Sequence, residues 1–419
     1  MLLYSLALLD RQVLTLMVGP IKQDLRISDF QVGVLQGLVF ALFYGVAGIP
    51  IGWLADRWPR RPVIWAGVTV WGLAASACGL ATSFAGLVIA RLGVGAGEAA
   101  LAPAANSMLA DLFPARRLSL AISVLSVGSN IGNGLAIGLG GAVVSFAQHG
   151  GALHLPWLGE LRPWQFVFLV TGAPGLVLAT LIFTVREPER RMRVESEGPP
   201  DFRRTWAFMA RNRAFFTSHF LGYGLYSIAA WAFLSWLPTY MVRSFGWPIQ
   251  RVSIPLALIV AIGGGLGPLL TGALVDRLFS RGRTDAHLRV FAVIALAMGL
   301  TGAVAFQLHD PLVFLLLALP IVCVMTLAPV ATACLQIVSP NQMRGQINAV
   351  FLLIMNGIGI AVGPPLVGAL TDFVLRDEAR LGDAISIVFL AITPLSALAL
   401  WLGGQPLRAC VARAAEWTS

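Results

Sequence analysis

GWLADRWPRR, residues 52 to 61, closes one apolar run, and GALVDRLFSRGR, residues 272 to 283, closes another far down the chain. Both fit G-x-x-x-D-R-x-x-x-R, with Gly52, Asp56, Arg57 and Arg61 in the first and Gly272, Asp276, Arg277 and Arg281 in the second. Chance supplies one such match in a basic loop. Two, each at the same place in its half of the chain, imply a repeated half. Secondary transporters are built from such repeats, with the substrate site near mid-membrane between them.

Composition agrees. The 419 residues are 57% hydrophobic and 12% charged, with a mean hydropathy of +0.80. Soluble domains carry about 25% charged residues, and a water-soluble chain of this length has no way to hide so much apolar surface. A polytopic membrane protein, with lipid as its solvent, does not need to. Twelve apolar runs are long enough to cross a bilayer, at about 1–21, 31–55, 63–82, 84–110, 118–147, 164–185, 214–242, 250–275, 287–308, 311–338, 345–374 and 384–403. The expected fold is therefore all-α, twelve transmembrane helices in two pseudo-symmetric six-helix bundles. MLLYSLALL at the start has no basic residues and no small-residue cleavage site, so the first helix is expected to insert and stay, with a native start further upstream.

The longest polar stretch, 187–213, divides the chain. Residues 1–186 read as the first bundle, 187–213 as a cytoplasmic linker, 214–404 as the second bundle and 405–419 as a short cytoplasmic tail. Within the linker, DFRRTWAFMARNR patterns as an interfacial helix with Phe202, Trp206 and Met209 on one side. With both termini in the cytoplasm, that side holds 20 of the 29 Lys and Arg residues. The opposite side holds Lys22, Arg26, Arg162, Arg243, Arg251, Arg376 and Arg380, and Arg11 and Arg91 lie within spans. This is the positive-inside pattern. It accounts for most of the net charge of +9 without nucleic acid.

Four charges stand inside the runs. LALLDRQVLTLMV, residues 6 to 18, carries Asp10 and Arg11; RLGVGAGEAALAP, residues 91 to 103, carries Arg91 and Glu98. Each costs on the order of 2.5–3.5 kcal/mol at mid-membrane, so all four together imply a role. Arg91 and Glu98 share a helix face about 10 Å apart along the axis, too far for full pairing, whereas Asp10 and Arg11 diverge by about 100°. The simplest arrangement is a neutral four-member cluster between the first and fourth spans. It is either a static salt-bridge network or a protonatable site lining a wet cavity, and the second fits better. GVGAGEA looks like a phosphate loop, but it follows no strand and lies in a spanning helix. Its glycines are expected to let helices pack closely.

Twelve spans, a central basic loop and the paired G-x-x-x-D-R-x-x-x-R loops resemble the major facilitator superfamily across essentially the whole chain. The DR pair in the first span and RLGVGAGEAALAP in the fourth, above all its G-x-G-E-A core, are similar to the spinster family of lipid transporters in its bacterial branch. That resemblance implies proton coupling at Asp10 and Glu98, substrate headgroup binding at Arg11 and a charge-partner role for Arg91. It also implies gating at the cytoplasmic ends. Asp56 would latch onto the start of helix eleven near Gln342 and Arg344, and Asp276 onto helix five near Arg116 and Arg117.

Softer candidates remain. GYGLYSIAAWAFLSWLPTY offers Tyr223 and Tyr226 as cavity lining and Trp236 and Tyr240 as an interfacial belt. Asn130, Asn133 and Asn356 are further polar candidates for the cavity. Of the five histidines only His219 falls clearly inside a span, and none pairs with a nucleophile. The four cysteines form no C-x-x-C, so neither disulfides nor a metal site is expected. The expected protein is no enzyme and needs no cofactor, with protons as coupling ion. It is a monomeric multi-pass protein of a bacterial inner membrane. It carries an amphipathic anionic lipid, such as a lysophospholipid or sphingoid phosphate, by alternating access. The rivals are transport of a small organic anion or a drug-like hydrophobic compound and, from another class, a membrane enzyme or a non-transporting receptor.

Overall fold

Local chemistry sets the helix boundaries. The computed structural model describes residues 2–112, 132–147, 153–155, 159–188, 202–325, 328–340 and 342–415. Asn130, Arg116, Arg117 and residues 189–201 of the linker lie outside them. The first run forms α1 (Leu2–Leu16) and α2 (Val18–Leu25), broken at Met17. Pro20 sits in the first turn of α2, where its missing N–H costs nothing. Ser28 starts α3 (Asp29–Gln36) with a capping box: its hydroxyl accepts from the Gln31 amide at 3.3 Å, and the Gln31 side chain accepts from the Ser28 amide at 2.9 Å. α4 (Leu38–Arg57) ends in the first G-x-x-x-D-R motif, and α5 (Arg60–Cys78) follows Pro59.

Ser83 caps α6 (Phe84–Glu98), which ends directly after Glu98; α7 (Leu101–Leu112) completes the fourth run. α8 (Gly132–Ala147) and α9 (Pro163–Thr180) flank a hairpin of β1 (Leu153–Leu155) and β2 (Gly159–Leu161). This antiparallel pair is the one departure from an all-helical chain among the described residues, with Leu153 opposite Leu161.

The rest is α10 (Phe202–Arg211), α11 (Arg213–Phe245), α12 (Ile249–Ser280), α13 (Ala286–Ala305), α14 (Pro311–Met325), α15 (Ala328–Val338), α16 (Arg344–Ala369), α17 (Leu381–Leu402) and α18 (Gly404–Ala415). Among the described residues nine helical stretches are each long and apolar enough to cross a membrane. The other expected spans correspond to α1–α2, interrupted at Met17, to α5, and to α8, whose upstream part lies outside the described residues. Large aliphatics such as Val177, Leu269 and Leu316 stand open, as lipid-facing residues do.

Two units emerge. The first comprises Met1–Arg193, Ser235–Ala261 and Gly368–Ala379, so it takes in ends of α11, α12 and the α16 region; the second comprises Val194–Leu234, Ile262–Val367 and Arg380–Ser419. Inside the first, glycine sets the packing of α6. A Cβ on Gly97 would lie 2.5 Å from the Trp71 amide nitrogen of α5, and one on Gly95 would lie 2.8 Å from the Phe40 carbonyl of α4. The glycines of GVGAGEA thus serve close helix contact.

Several sequence expectations change. Trp236 and Tyr240, which begin the part of α11 in the first unit, are buried rather than a surface belt. Met209 turns inward beside Thr205 and Phe208, leaving Phe202 and Trp206 exposed. His287 joins His219 inside a helix. The tail is not a free end: α18 is tied by Arg408 to Asp285 at 2.7 Å.

Candidate functional site

α1 carries Asp10 and Arg11 on diverging faces, and the fold sends them to different neighbours. Arg11 pairs with Glu98. Its Nη2 lies 2.5 Å from Oε1 and its Nε 3.3 Å from Oε2. The guanidinium carbon sits 4.2 Å from the Phe40 ring centroid and 5.9 Å from that of Tyr44, both on α4. The Arg11 side chain keeps 25% exposure against 8% for Glu98, so the arginine is the reachable member of the pair.

Asp10 faces inward. Its Oδ2 accepts the indole N–H of Trp71 at 2.7 Å, and Oδ1 has no hydrogen-bond partner among the described residues. Arg91 approaches the same residue at its backbone: Nη2 lies 3.4 Å from the Asp10 carbonyl oxygen. The Arg91 guanidinium carbon stands 5.4 Å from the Phe168 ring centroid of α9. Asp10, Arg91 and Trp71 are all buried.

The four charges therefore form two sub-sites instead of one ring. The Arg11–Glu98 pair is partly open, whereas Asp10–Trp71–Arg91 is sealed within the bundle. Adjacent positions on a helix point about 100° apart, which is why one dipeptide serves both. Sequence reasoning found the four charges and missed Trp71, Phe40, Tyr44 and Phe168. Aromatic residues are frequent in spans, and nothing in their spacing marks these. Close by, the Gln12 amide donates to Asn133 Oδ1 at 2.9 Å.

The opposite end of this unit holds a second charge cluster that the sequence did not single out. Asp29 is fully buried. Arg243 grips it with Nη1 at 2.8 Å from Oδ2 and Nη2 at 2.8 Å from Oδ1. Lys22 pairs with Asp29 and, at 2.7 Å, with Glu378. Asp372 accepts from the Phe30 amide at 2.6 Å. These contacts tie α2 and α3 to the ends of α11 and the α16 region. Beside them a cavity of about 230 Å³ is lined by Thr15, Thr239 and Arg243 among others.

At the arginine-rich end, Glu187 caps α5, accepting from the amides of Arg60 at 3.0 Å and Arg61 at 2.9 Å. Arg60 Nε donates to the same carboxylate at 2.9 Å, and its guanidinium also pairs with Asp111. Burial pushes the Glu187 carboxyl up, but the two amides and the Arg60 guanidinium outweigh it and hold it below the ordinary glutamate range.

The motif residues stand as follows. Arg57 stacks on Trp53 at 4.1 Å and Arg61 on Phe183 at 5.3 Å. The Asp56 side chain lies outside the described atoms. Asp276, Arg277 and Arg281 are exposed, and a Cβ would meet nothing within 4 Å at Gly52 or Gly272. Tyr223 and Tyr226 are fully buried. Their hydroxyls donate to the carbonyls of His287 and Val324, each at 2.7 Å, so both pack the second unit. Asn356 is half-buried. Among the described residues no cluster of His, Cys, Asp and Glu is arranged to hold a metal ion.

The Major Facilitator Superfamily model matches residues 1–364. An MFS-type efflux pump of Mycolicibacterium smegmatis is 28% identical over 96% of this chain and 91% of its own. Protein spinster homolog 1 of Xenopus tropicalis is 27% identical over 88% of this chain and 71% of its own. A crystal structure of a bacterial homolog of the human lysosomal transporter Spinster, described as inward-facing and unoccupied, aligns with a TM-score of 0.79 at 25% identity, covering 98% of this chain and 95% of that one. The chain belongs to the major facilitator superfamily of transporters, with spinster proteins among its relatives in sequence and fold.

Proposed function

We propose that this transporter carries an amphipathic anionic lipid, such as a lysophospholipid or a sphingoid phosphate, in exchange with or alongside protons. One observation carries the reading: the partly open Arg11 guanidinium is held by Glu98 and backed by Phe40 and Tyr44. A guanidinium recognises phosphate or carboxylate through paired N–H groups. Beside it, aromatic rings give an adjoining tail an apolar wall.

Arg11 has one fork and two competing anions. While Glu98 is ionised it occupies that fork. A proton on Glu98 weakens the pair and frees Arg11 for a headgroup. Binding of proton and anion then favour each other, a coupling that is reciprocal by linkage. Asp10 is a second, buried proton site whose charge bears on the same helix. The paired G-x-x-x-D-R-x-x-x-R loops act as gates at the arginine-rich end, which faces the cytoplasm of a bacterial cell with both termini. The transporter works as a monomer, without a cofactor.

The test is uptake into proteoliposomes, with a panel of lysolipids and imposed pH gradients. Asp10→Asn and Glu98→Gln are expected to uncouple uptake from the gradient, and Arg11→Ser to weaken anionic substrates more than neutral ones. Uptake of every lipid that ignores the gradient and both carboxyl variants overturns the coupling. Equal losses for anionic and neutral substrates remove Arg11 from headgroup binding. The second reading, export of drug-like hydrophobic compounds, draws on the similarity to the mycobacterial efflux pump. Resistance conferred on a sensitive host, with no lysolipid uptake, favours it.

A further inference from the structure

Trp71 is absent from every motif, yet among the described residues it makes the one side-chain hydrogen bond to the Asp10 carboxylate. It is 1% exposed and its place is fixed from three sides. Gly97 of α6 leaves room only for backbone against the Trp71 amide, Gly67 one turn earlier packs on Ala100 and Gly97, and Gly72 packs on Gly172 and Leu176 of α9. An indole held this way has little freedom to turn its N–H elsewhere.

An indole nitrogen donates and never accepts. Oδ2 of Asp10 therefore receives a hydrogen bond whether the carboxyl is charged or neutral. A proton on Oδ2 would confront the indole hydrogen head-on. Oδ1 is buried and has no hydrogen-bond partner among the described residues, so it is the oxygen open to a proton. Arg91 does not substitute for the indole, because its hydrogen bond to Asp10 goes to the backbone carbonyl.

We propose that Trp71 is the positioning residue of the Asp10 proton site, assigning the proton to Oδ1 and the carbonyl to Oδ2. This rests on the reading of Asp10 as a proton site. The other charged or titratable groups facing it are Arg91 and Glu98 from α6, Arg11 from α1 and Cys78 from α5; α9 faces the site with Phe168. Trp71 donates a hydrogen bond to the carboxylate itself. Its N–H binds the charged form more strongly than the neutral form, so it holds the proton affinity of Asp10 down. Losing it raises that affinity.

The experiment needs no substrate. The purified transporter in nanodiscs is titrated by infrared difference spectroscopy, following the protonated-carboxyl carbonyl band that disappears in Asp10→Asn. Two replacements are compared, Trp71→Phe and an unnatural residue at 71, benzothienylalanine, which keeps the indole shape with sulfur in place of N–H. Both are expected to raise the titration midpoint by about one pH unit, the scale of one hydrogen bond to a charged group. Both are also expected to move the carbonyl band to higher frequency, because the Oδ2 carbonyl has lost its donor. An unchanged midpoint and band in benzothienylalanine protein that folds and retains the Asp10 band overturns the assignment. If Asp10→Asn removes no band at all, Asp10 does not titrate, and the proton-site reading falls instead.

Discussion

Arg243 holds Asp29 by two parallel hydrogen bonds of 2.8 Å, and the carboxylate they hold is fully buried. Such a fork is among the stronger pairings available to a protein. Lys22 and Glu378 complete a neutral set of four. Removing one member leaves an uncompensated buried charge, a loss of about 3–5 kcal/mol. Arg243→Ala is accordingly expected to lower the melting temperature clearly. In a transporter that must open this end, breaking the cluster at either Arg243 or Asp29 favours the open state. A cysteine placed at buried Thr239, in a background lacking native cysteines, should react about tenfold faster with an impermeant maleimide in Asp29→Asn, the effect of about 1.4 kcal/mol on a two-state equilibrium. Equal rates would show that the cluster does not restrain opening.

Arg11 and Glu98 make a sharper prediction because only one of them is meant to bind substrate. Glu98→Gln leaves the fork of Arg11 without its resident anion. Affinity for an anionic lysolipid is expected to rise by about tenfold near neutral pH, and its pH dependence to flatten. Arg11→Ser should lose that affinity at every pH. Titration of lysophosphatidylglycerol by calorimetry, from pH 5 to 8, separates the two. A fall in affinity in Glu98→Gln would mean that the glutamate orients the arginine instead of competing for it.

The repeat at Asp56 and Asp276 and the charges in two apolar runs were enough to read the superfamily and the four central residues. The length of the apolar runs located the spans, since apolar length is what a bilayer demands. The partners were another matter. Asp10 and Arg11 diverge, but the sequence does not say which helix each meets, and Trp71 looks like any buried aromatic. Lys22, Asp29, Arg243 and Glu378 are scattered over the chain, and only folding brings them together. Tyr223 and Tyr226 have a composition suited to a cavity, yet their hydroxyls satisfy backbone carbonyls in a packed interior.

Glu187 predicts a pH effect with a definite sign. Its carboxyl is held below the ordinary value by the Arg60 and Arg61 amides and the Arg60 guanidinium, against the opposing effect of burial. A depressed carboxyl stabilises the fold fully above its unfolded value and loses that contribution as pH falls through the folded one. Glu187→Gln should cost about 1 kcal/mol at pH 7, the scale of a helix cap. The difference from wild type should shrink as pH drops below the ordinary glutamate value of 4.5. Thermal melts of both proteins at pH 7 and at progressively lower pH check it; a gap that stays constant would deny the cap its charge.

Two glycines separate packing from gating. At Gly97 a Cβ would lie 2.5 Å from the Trp71 amide nitrogen and 2.6 Å from the Gly67 carbonyl oxygen, both backbone atoms that no side-chain rotation clears. At Gly52, in the first G-x-x-x-D-R motif, a Cβ would meet nothing within 4 Å. Gly97→Ala must push α5 and α6 apart, and overpacking of this kind typically costs about 1–3 kcal/mol. It should also spoil the Trp71–Asp10 hydrogen bond. Gly52→Ala should fold as well as wild type, and in helical backbone alanine is if anything the better residue. Any loss of uptake in Gly52→Ala, at unchanged melting temperature, then belongs to movement of this end of α4 and not to the resting structure. If Gly52→Ala transports normally, the glycine of the motif has no part in gating, whatever Asp56 and Arg57 do.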